Sequence, residues 1–317
     1  MAHPGSKRAP RRDLIDASYA PSTLRKYRDA VSSFLTWASD LSEDPTDPDD
    51  FDDLLCDYFH YLYDSDQGKG KAHATLYGVL MLLPRLEGHL RLASRCIRGW
   101  SKLQPAKAYP PLTWELTCLI ALRLVLDGSL RFAVGVLLSF DCLLRVGELV
   151  NLRREDVADS KDARIGVTAV DMTLRLRSTK TGPNPWVTIT NPIIKRLLRS
   201  ILAATPADGH LFPFSTTTYR NRFKAACASL GLSSAYVPHS LRHGGATRAH
   251  LLGMPLEDIL IRGRWASSKS ARRYIQAGRA MLMTMQVADS VQVLASAVAG
   301  DLLLYLSLAQ SHSVRVG

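Results

Sequence analysis

The stretch from His239 to Tyr274, HSLRHGGATRAHLLGMPLEDILIRGRWASSKSARRY, holds side chains suited to breaking a phosphodiester by covalent catalysis. His239 and Arg242 are three residues apart, and in a helix such a pair projects from one face, so both can converge on one phosphate. Arginine stays protonated and donates in a planar fork, so Arg145 and Arg242 suit the non-bridging oxygens on which charge builds in the transition state. Trp265 offers an indole N–H, a donor only. Tyr274 is the candidate nucleophile. With a reference pKa of about 10, it needs its proton accepted or its phenolate stabilised by cations. His239 suits the acceptor, and Lys180, in the turn STKTGPNP, suits protonation of the leaving oxygen. Glu148 is expected to orient Arg145 or His243, and His243 to hold the pocket by hydrogen bonds. Each residue alone has a plainer reading: Arg145 and Glu148 as a helix-surface ion pair, Trp265 as a core aromatic, His239 as a structural histidine.

These groups must be positioned by a chain of 317 residues, 46% hydrophobic and 22% charged, long enough for two packed domains. The net charge of +11 and pI near 9.6 point to an anionic partner, nucleic acid first. Cys56, Cys96, Cys118, Cys142 and Cys227 are scattered without paired spacing, which argues against a zinc site or a disulfide framework. Arg123, Asp141, Asp289 and Asp301 interrupt the most apolar stretches, so no membrane span is expected. There is no Walker loop and no acidic metal cluster, so neither a metal nor another cofactor is expected.

Residues 1–12 carry Lys7, Arg8, Arg11 and Arg12 without an acid and read as a disordered basic arm. An apolar stripe of Leu24, Tyr27, Val31, Phe34, Leu35 and Ala38 predicts a first helix, with Arg25, Lys26 and Arg28 off the stripe. The acidic run from Asp40 to Asp53 reads as a surface loop and helix start. Helices over Phe51 to Tyr63, Ala72 to Leu83 and Leu86 to Trp100 complete a four-helix domain over 13–104, followed by a proline-bearing linker at 105–111. The second domain, 112–280, opens with helices over Trp114 to Leu126 and Leu130 to Leu143. Period-two runs over Arg164 to Ala169, Met172 to Arg177 and Trp186 to Ile189 follow, and helices return from Pro192. The fold class is therefore mainly α, with one small antiparallel sheet in the second domain. In the apolar tail, 281–317, Met281, Met285, Ala288, Val291, Leu294 and Val298 predict one helical stripe, broken at Gly300.

An arginine after an apolar helix, a hairpin lysine, His-x-x-Arg, an aromatic donor and a tyrosine follow in one order along one domain. In this the chain resembles the tyrosine recombinases, the phage integrase family, over nearly its whole length. The helix opening at Thr23 and Tyr27 matches their core-binding domain. The triplet Gly263, Arg264, Trp265 followed by Arg273, Tyr274, Ile275 is most similar to recombinases of eukaryotic mobile elements. One position departs: many members carry glycine two residues before the first arginine, where this chain has Leu143.

The resemblance implies a SAM-like helical core-binding domain, a catalytic domain of the DNA breaking-rejoining fold, and Arg145, Lys180, His239, Arg242, Trp265 and Tyr274 as the catalytic set. It implies double-stranded DNA as substrate, a 3′-phosphotyrosyl intermediate formed without metal or ATP, and a homotetramer on paired sites. The tail is then expected either on its own domain or docked into a neighbouring protomer. Arg220, Arg222, Lys224, Arg264, Lys269, Arg272 and Arg273, with Arg25, Lys26 and Arg28, are the expected DNA contacts. Two other readings stay open, a DNA-binding relic that no longer cuts and a nicking-closing enzyme like the type IB topoisomerases. The nucleus is the expected address, with the cytoplasm or nucleoid as the other.

Overall fold

The computed structural model describes residues 18–41, 45, 47–105, 109–159, 171–177 and 186–316, with side chains to 311. The chain divides into two compact units, Met1–Lys107 and Ala108–Gly317.

In the first unit, helices α1 (Pro21–Asp40), α2 (Pro48–Asp64), α3 (Lys69–Leu82) and α4 (Arg91–Leu103) enclose a core rich in aromatic rings. Proline opens α1 and α2, where its missing N–H leaves no bond unmade. Asp47 caps α2 by accepting from the backbone N–H groups of Asp49 and Asp50, each at 2.9 Å. Val31, Phe34 and Ala38 of the expected stripe are buried, whereas Leu35 is exposed. The acidic run is not wholly a surface feature. Asp52 is buried and its carboxylate accepts from Leu92 N and Ala93 N at 2.7 and 2.8 Å, so it caps the start of α4 from another helix. The last helix accordingly starts at Arg91 rather than Leu86, after a short turn of 3-10 helix at Pro84–Leu86.

The second unit is organised around α5 (Trp114–Leu126), whose side chains are buried on nearly every side. A helix apolar all round must be enclosed. It is packed by α6 (Leu130–Asp141), α9 (Thr216–Ser229), α14 (Asp289–Gly300) and α15 (Leu302–Val316). A three-stranded antiparallel sheet of β1 (Val157–Ala158), β2 (Thr173–Arg175) and β3 (Trp186–Thr188) lies beside α7 (Val146–Val150) and α8 (Pro192–Ala203) in the chain. Leu174 pairs with both Val157 and Val187. Met172, Leu174 and Leu176 are buried, as their alternation demands, while Arg175 and Arg177 reach the buried Asp156. The run Arg164 to Ala169, the basic arm and Lys180 fall outside the described residues.

The tail corrects the expected stripe. It is split at residues 286–288 between α13 (Ala277–Met285) and α14, so the 3.6-residue register restarts. Met281 and Met285 are left exposed, while Val287, Ala295, Val298, Leu302, Leu306 and Ala309 join the core around α5. Helices α14 and α15 meet at 97°, and among the described residues no single helix is long and apolar enough to cross a membrane.

Candidate active site

Among the described residues, three chain segments build the site. The first leaves α6 through Leu143, a buried residue held at φ +51°, a left-handed conformation that L side chains rarely adopt. This is the position where the sequence departs from glycine. The turn presents the Leu143 carbonyl inward and sets Arg145 at the head of α7. Glu148 then reaches back, accepting from Arg145 N at 2.8 Å and from Arg145 Nη1 at 2.6 Å. This is the carboxylate half of a capping box.

The second segment is α10 (Pro238–Leu251), which carries His239, Arg242 and His243. Its two central glycines allow the approach. A Cβ on Gly244 would run into the Leu112 carbonyl and the Phe140 ring, and one on Gly245 into the Phe140 carbonyl and the Leu143 side chain. Close passage lets Arg242 donate from Nη1 to the Leu143 carbonyl and from Nη2 to that of Gly263.

The third segment runs from α11 (Leu256–Gly263) through α12 (Ser268–Arg272) to Tyr274. It turns at Arg264, again left-handed at φ +54°. The indole of Trp265 folds back over Gly263, where any Cβ would occupy the ring's space.

These segments bring the Tyr274 ring to 4.5 Å from that of His243, 4.6 Å from Trp265 and 5.4 Å from His239, centroid to centroid. The Arg242 guanidinium lies 4.6 Å from the Trp265 ring centroid and 5.4 Å from that of Tyr274. Burial, with the charges of Arg242 and Arg145, pushes His239 down to about 4. Burial, His239 and Arg242 push His243 down to about 3. Both imidazoles are neutral near pH 7, and His239 is thereby able to accept a proton. Burial alone would raise the Glu148 carboxyl, but Arg264, the hydrogen bonds from Arg145 and the charge of Arg242 together hold it below the usual carboxylate range.

The two arginines differ in exposure and in what they bond. The Arg145 side chain is 25% exposed, but that of Arg242 is 0% exposed and spends both terminal nitrogens on backbone carbonyls. Its Nε, like the Trp265 indole nitrogen, is a buried donor without a hydrogen-bond partner among the described residues. A buried donor in that state forfeits about 1–3 kcal/mol, which an arriving acceptor oxygen would relieve. Arg264 is a second correction. Expected at the surface, it is buried, donating from Nη2 to Glu148 at 2.7 Å and to the Leu143 carbonyl at 2.8 Å, and from Nη1 to the carbonyls of Arg262 and Cys142 at 2.8 and 3.2 Å. Glu148 bonds to arginines rather than to His243, whose Nδ1 lies 3.3 Å from Gln276 Nε2. The remaining expected DNA contacts, Arg25, Lys26, Arg28, Arg220, Arg222, Lys224, Lys269, Arg272 and Arg273, lie at the surface of their units.

Residues 125–280 match the model of the phage integrase family. This segment is a domain of that family, the tyrosine recombinases. Among solved structures, a lambda integrase dimer bound to a COC' core site aligns over 84% of this chain and 74% of its own, with TM-score 0.56 at 14% identity. The Tn1549 transposon integrase in complex with circular intermediate DNA aligns over 73% of this chain and 84% of its own, with TM-score 0.51 at 11% identity. These likenesses establish a shared fold. No curated protein sequence matches the chain.

Two positioning residues of this integrase domain, Thr247 and Gln276, lie outside the residues that the sequence motifs single out. The buried Thr247 hydroxyl donates to the Tyr274 carbonyl at 3.1 Å and accepts from Gln276 N at 3.0 Å, pinning the tyrosine segment to α10. Thr247 lies one helical turn beyond His243, so the spacing rule that pairs His239 with Arg242, applied once more, finds it.

Proposed function

We propose that the protein is a site-specific DNA recombinase whose nucleophile is Tyr274. The observation that carries this reading is the convergence of the Tyr274 ring with a neutral His239 at 5.4 Å, the Trp265 indole at 4.6 Å and the Arg242 guanidinium at 5.4 Å. The Tyr274 phenol oxygen attacks the scissile phosphorus and gives its proton to His239. The bond to the 5′ oxygen breaks, leaving a 3′-phosphotyrosyl link and a 5′ hydroxyl. Arg145, Arg242 Nε and the Trp265 indole N–H donate to the phosphate oxygens as charge accumulates there. Protonation of the leaving oxygen falls to Lys180 on the resemblance alone. A 5′ hydroxyl from a second strand reverses the attack, and the energy of the broken bond is kept in the protein link.

The circular intermediate DNA bound by the Tn1549 transposon integrase supports duplex DNA as the partner here. A homotetramer on paired sites, the helical unit as core-binding domain, and a eukaryotic mobile element acting in the nucleus complete the proposal. Incubation with nicked duplexes from DNA flanking the gene should trap a denaturation-resistant adduct, absent in Tyr274→Phe. DNA binding without an adduct would replace this reading with that of an inactive relic.

A further inference from the structure

Among the described residues of the integrase domain, two that are not glycine, Leu143 and Arg264, are left-handed, and each stands just before a residue of the site. Leu143 stands two positions before Arg145, and Arg264 directly before Trp265. The two turns are joined to each other: the Arg264 guanidinium donates to the Leu143 carbonyl at 2.8 Å and ion-pairs with Glu148 at 2.7 Å. Glu148 in turn holds both the backbone and the side chain of Arg145. The Leu143 carbonyl also receives Arg242. Strain kept at two adjoining turns, with one side chain bonded across them, marks a constrained functional joint.

We propose that Arg264 is a positioning residue that locks the Arg145 turn to the segment bearing Trp265 and Tyr274, acting on the reaction through Arg145 and never touching DNA. The inference rests on the recombinase reading for its catalytic consequence, but the joint is a property of the fold. Both terminal nitrogens of Arg264 are engaged within the unit, Nη2 by Glu148 and the Leu143 carbonyl and Nη1 by the carbonyls of Cys142 and Arg262. The planar fork matters as much as the charge, since one guanidinium must reach a carboxylate and three carbonyls together.

Arg264→Gly is an informative variant because glycine adopts the left-handed backbone freely, so the turn survives while the joint is removed. Arg264→Lys keeps the charge and loses the fork. Both variants should bind duplex DNA with wild-type affinity and salt dependence, yet form the Tyr274 adduct about a hundredfold more slowly at saturating DNA, as expected for displaced catalytic groups. Weakened binding with a shallower salt slope would make Arg264 a phosphate contact and overturn the proposal. So would an adduct rate equal to wild type in either variant.

Amide hydrogen exchange tests the joint apart from catalysis. In Arg264→Gly, residues 142–148 and 263–274 should both exchange roughly tenfold faster while α5 and α14 keep their protection. Unchanged exchange in those two segments, or loss of protection throughout the unit, overturns the proposal. A wild-type protein that forms no adduct would remove the recombinase reading, and the exchange result would still decide the inference.

Discussion

Two groups of basic side chains in the second unit look alike in composition and behave in opposite ways. Around Glu148, Arg145, Arg242 and Arg264 are gathered against one carboxylate, with Arg242 and Arg264 buried. On and beside α9 and α12, Arg220, Arg222, Lys224, Lys269, Arg272 and Arg273 stand in solvent. The first group holds the fold of the site together. The second supplies field without structure. A positive charge inside must be paired and hydrogen-bonded, whereas one outside is already hydrated and contributes little to stability.

The largest expected effect comes from removing the shared carboxylate. Glu148→Gln leaves the buried guanidiniums uncompensated and should destabilise the unit by about 3–5 kcal/mol, measured by urea unfolding. A loss under about 1 kcal/mol would mean that the carbonyls of Leu143 and Gly263 suffice, and the contrast between the two groups would collapse.

Acidification should act next, through the buried region. His239 and His243 titrate near 4 and 3 in the folded chain against about 6.5 when unfolded. Between those values the unfolded chain takes up protons that the folded one refuses, so stability falls as pH drops below about 6.5. Glu148, held low, adds stability above its unfolded value near 4.3 that is lost as pH falls through its folded value. Thermal melts should drop by several degrees from pH 7 to pH 4.5, and less in His243→Gln. A flat profile would contradict the burial of these rings.

The smallest stability effect belongs to the exposed group. Replacing Arg220, Arg222 and Lys224 together with Ala should alter stability by no more than about 0.5 kcal/mol. The slope of log affinity for duplex DNA against log salt should become shallower by about 0.9 for each phosphate that is no longer neutralised. An unchanged slope would mean that α9 does not face DNA.

Much of the fold can be read locally. The helix at Trp114–Leu126 and the inward face of Met172, Leu174 and Leu176 follow from periodicity, and His239 and Arg242 share a helix because their spacing matches its turn. The departure from glycine at Leu143 falls on the very turn that proves left-handed. Where local pattern ends, the sequence misleads. Asp52 reads as one of a run of surface acids, although its partners are the amides of Leu92 and Ala93, 40 and 41 residues away. The tail reads as one stripe because composition does not show where a helix restarts.

The sequence by itself determined which residues could do chemistry, their order along the chain, and the elements that carry most of them. Only the tertiary structure decided which charges turn inward. Arg264 meets Glu148 across 116 residues and Arg242 meets the Leu143 carbonyl across 99. Periodicity governs neighbours within a few turns, but the burial of a charge is settled by whatever partner the fold delivers to it, and that partner has no fixed spacing in sequence.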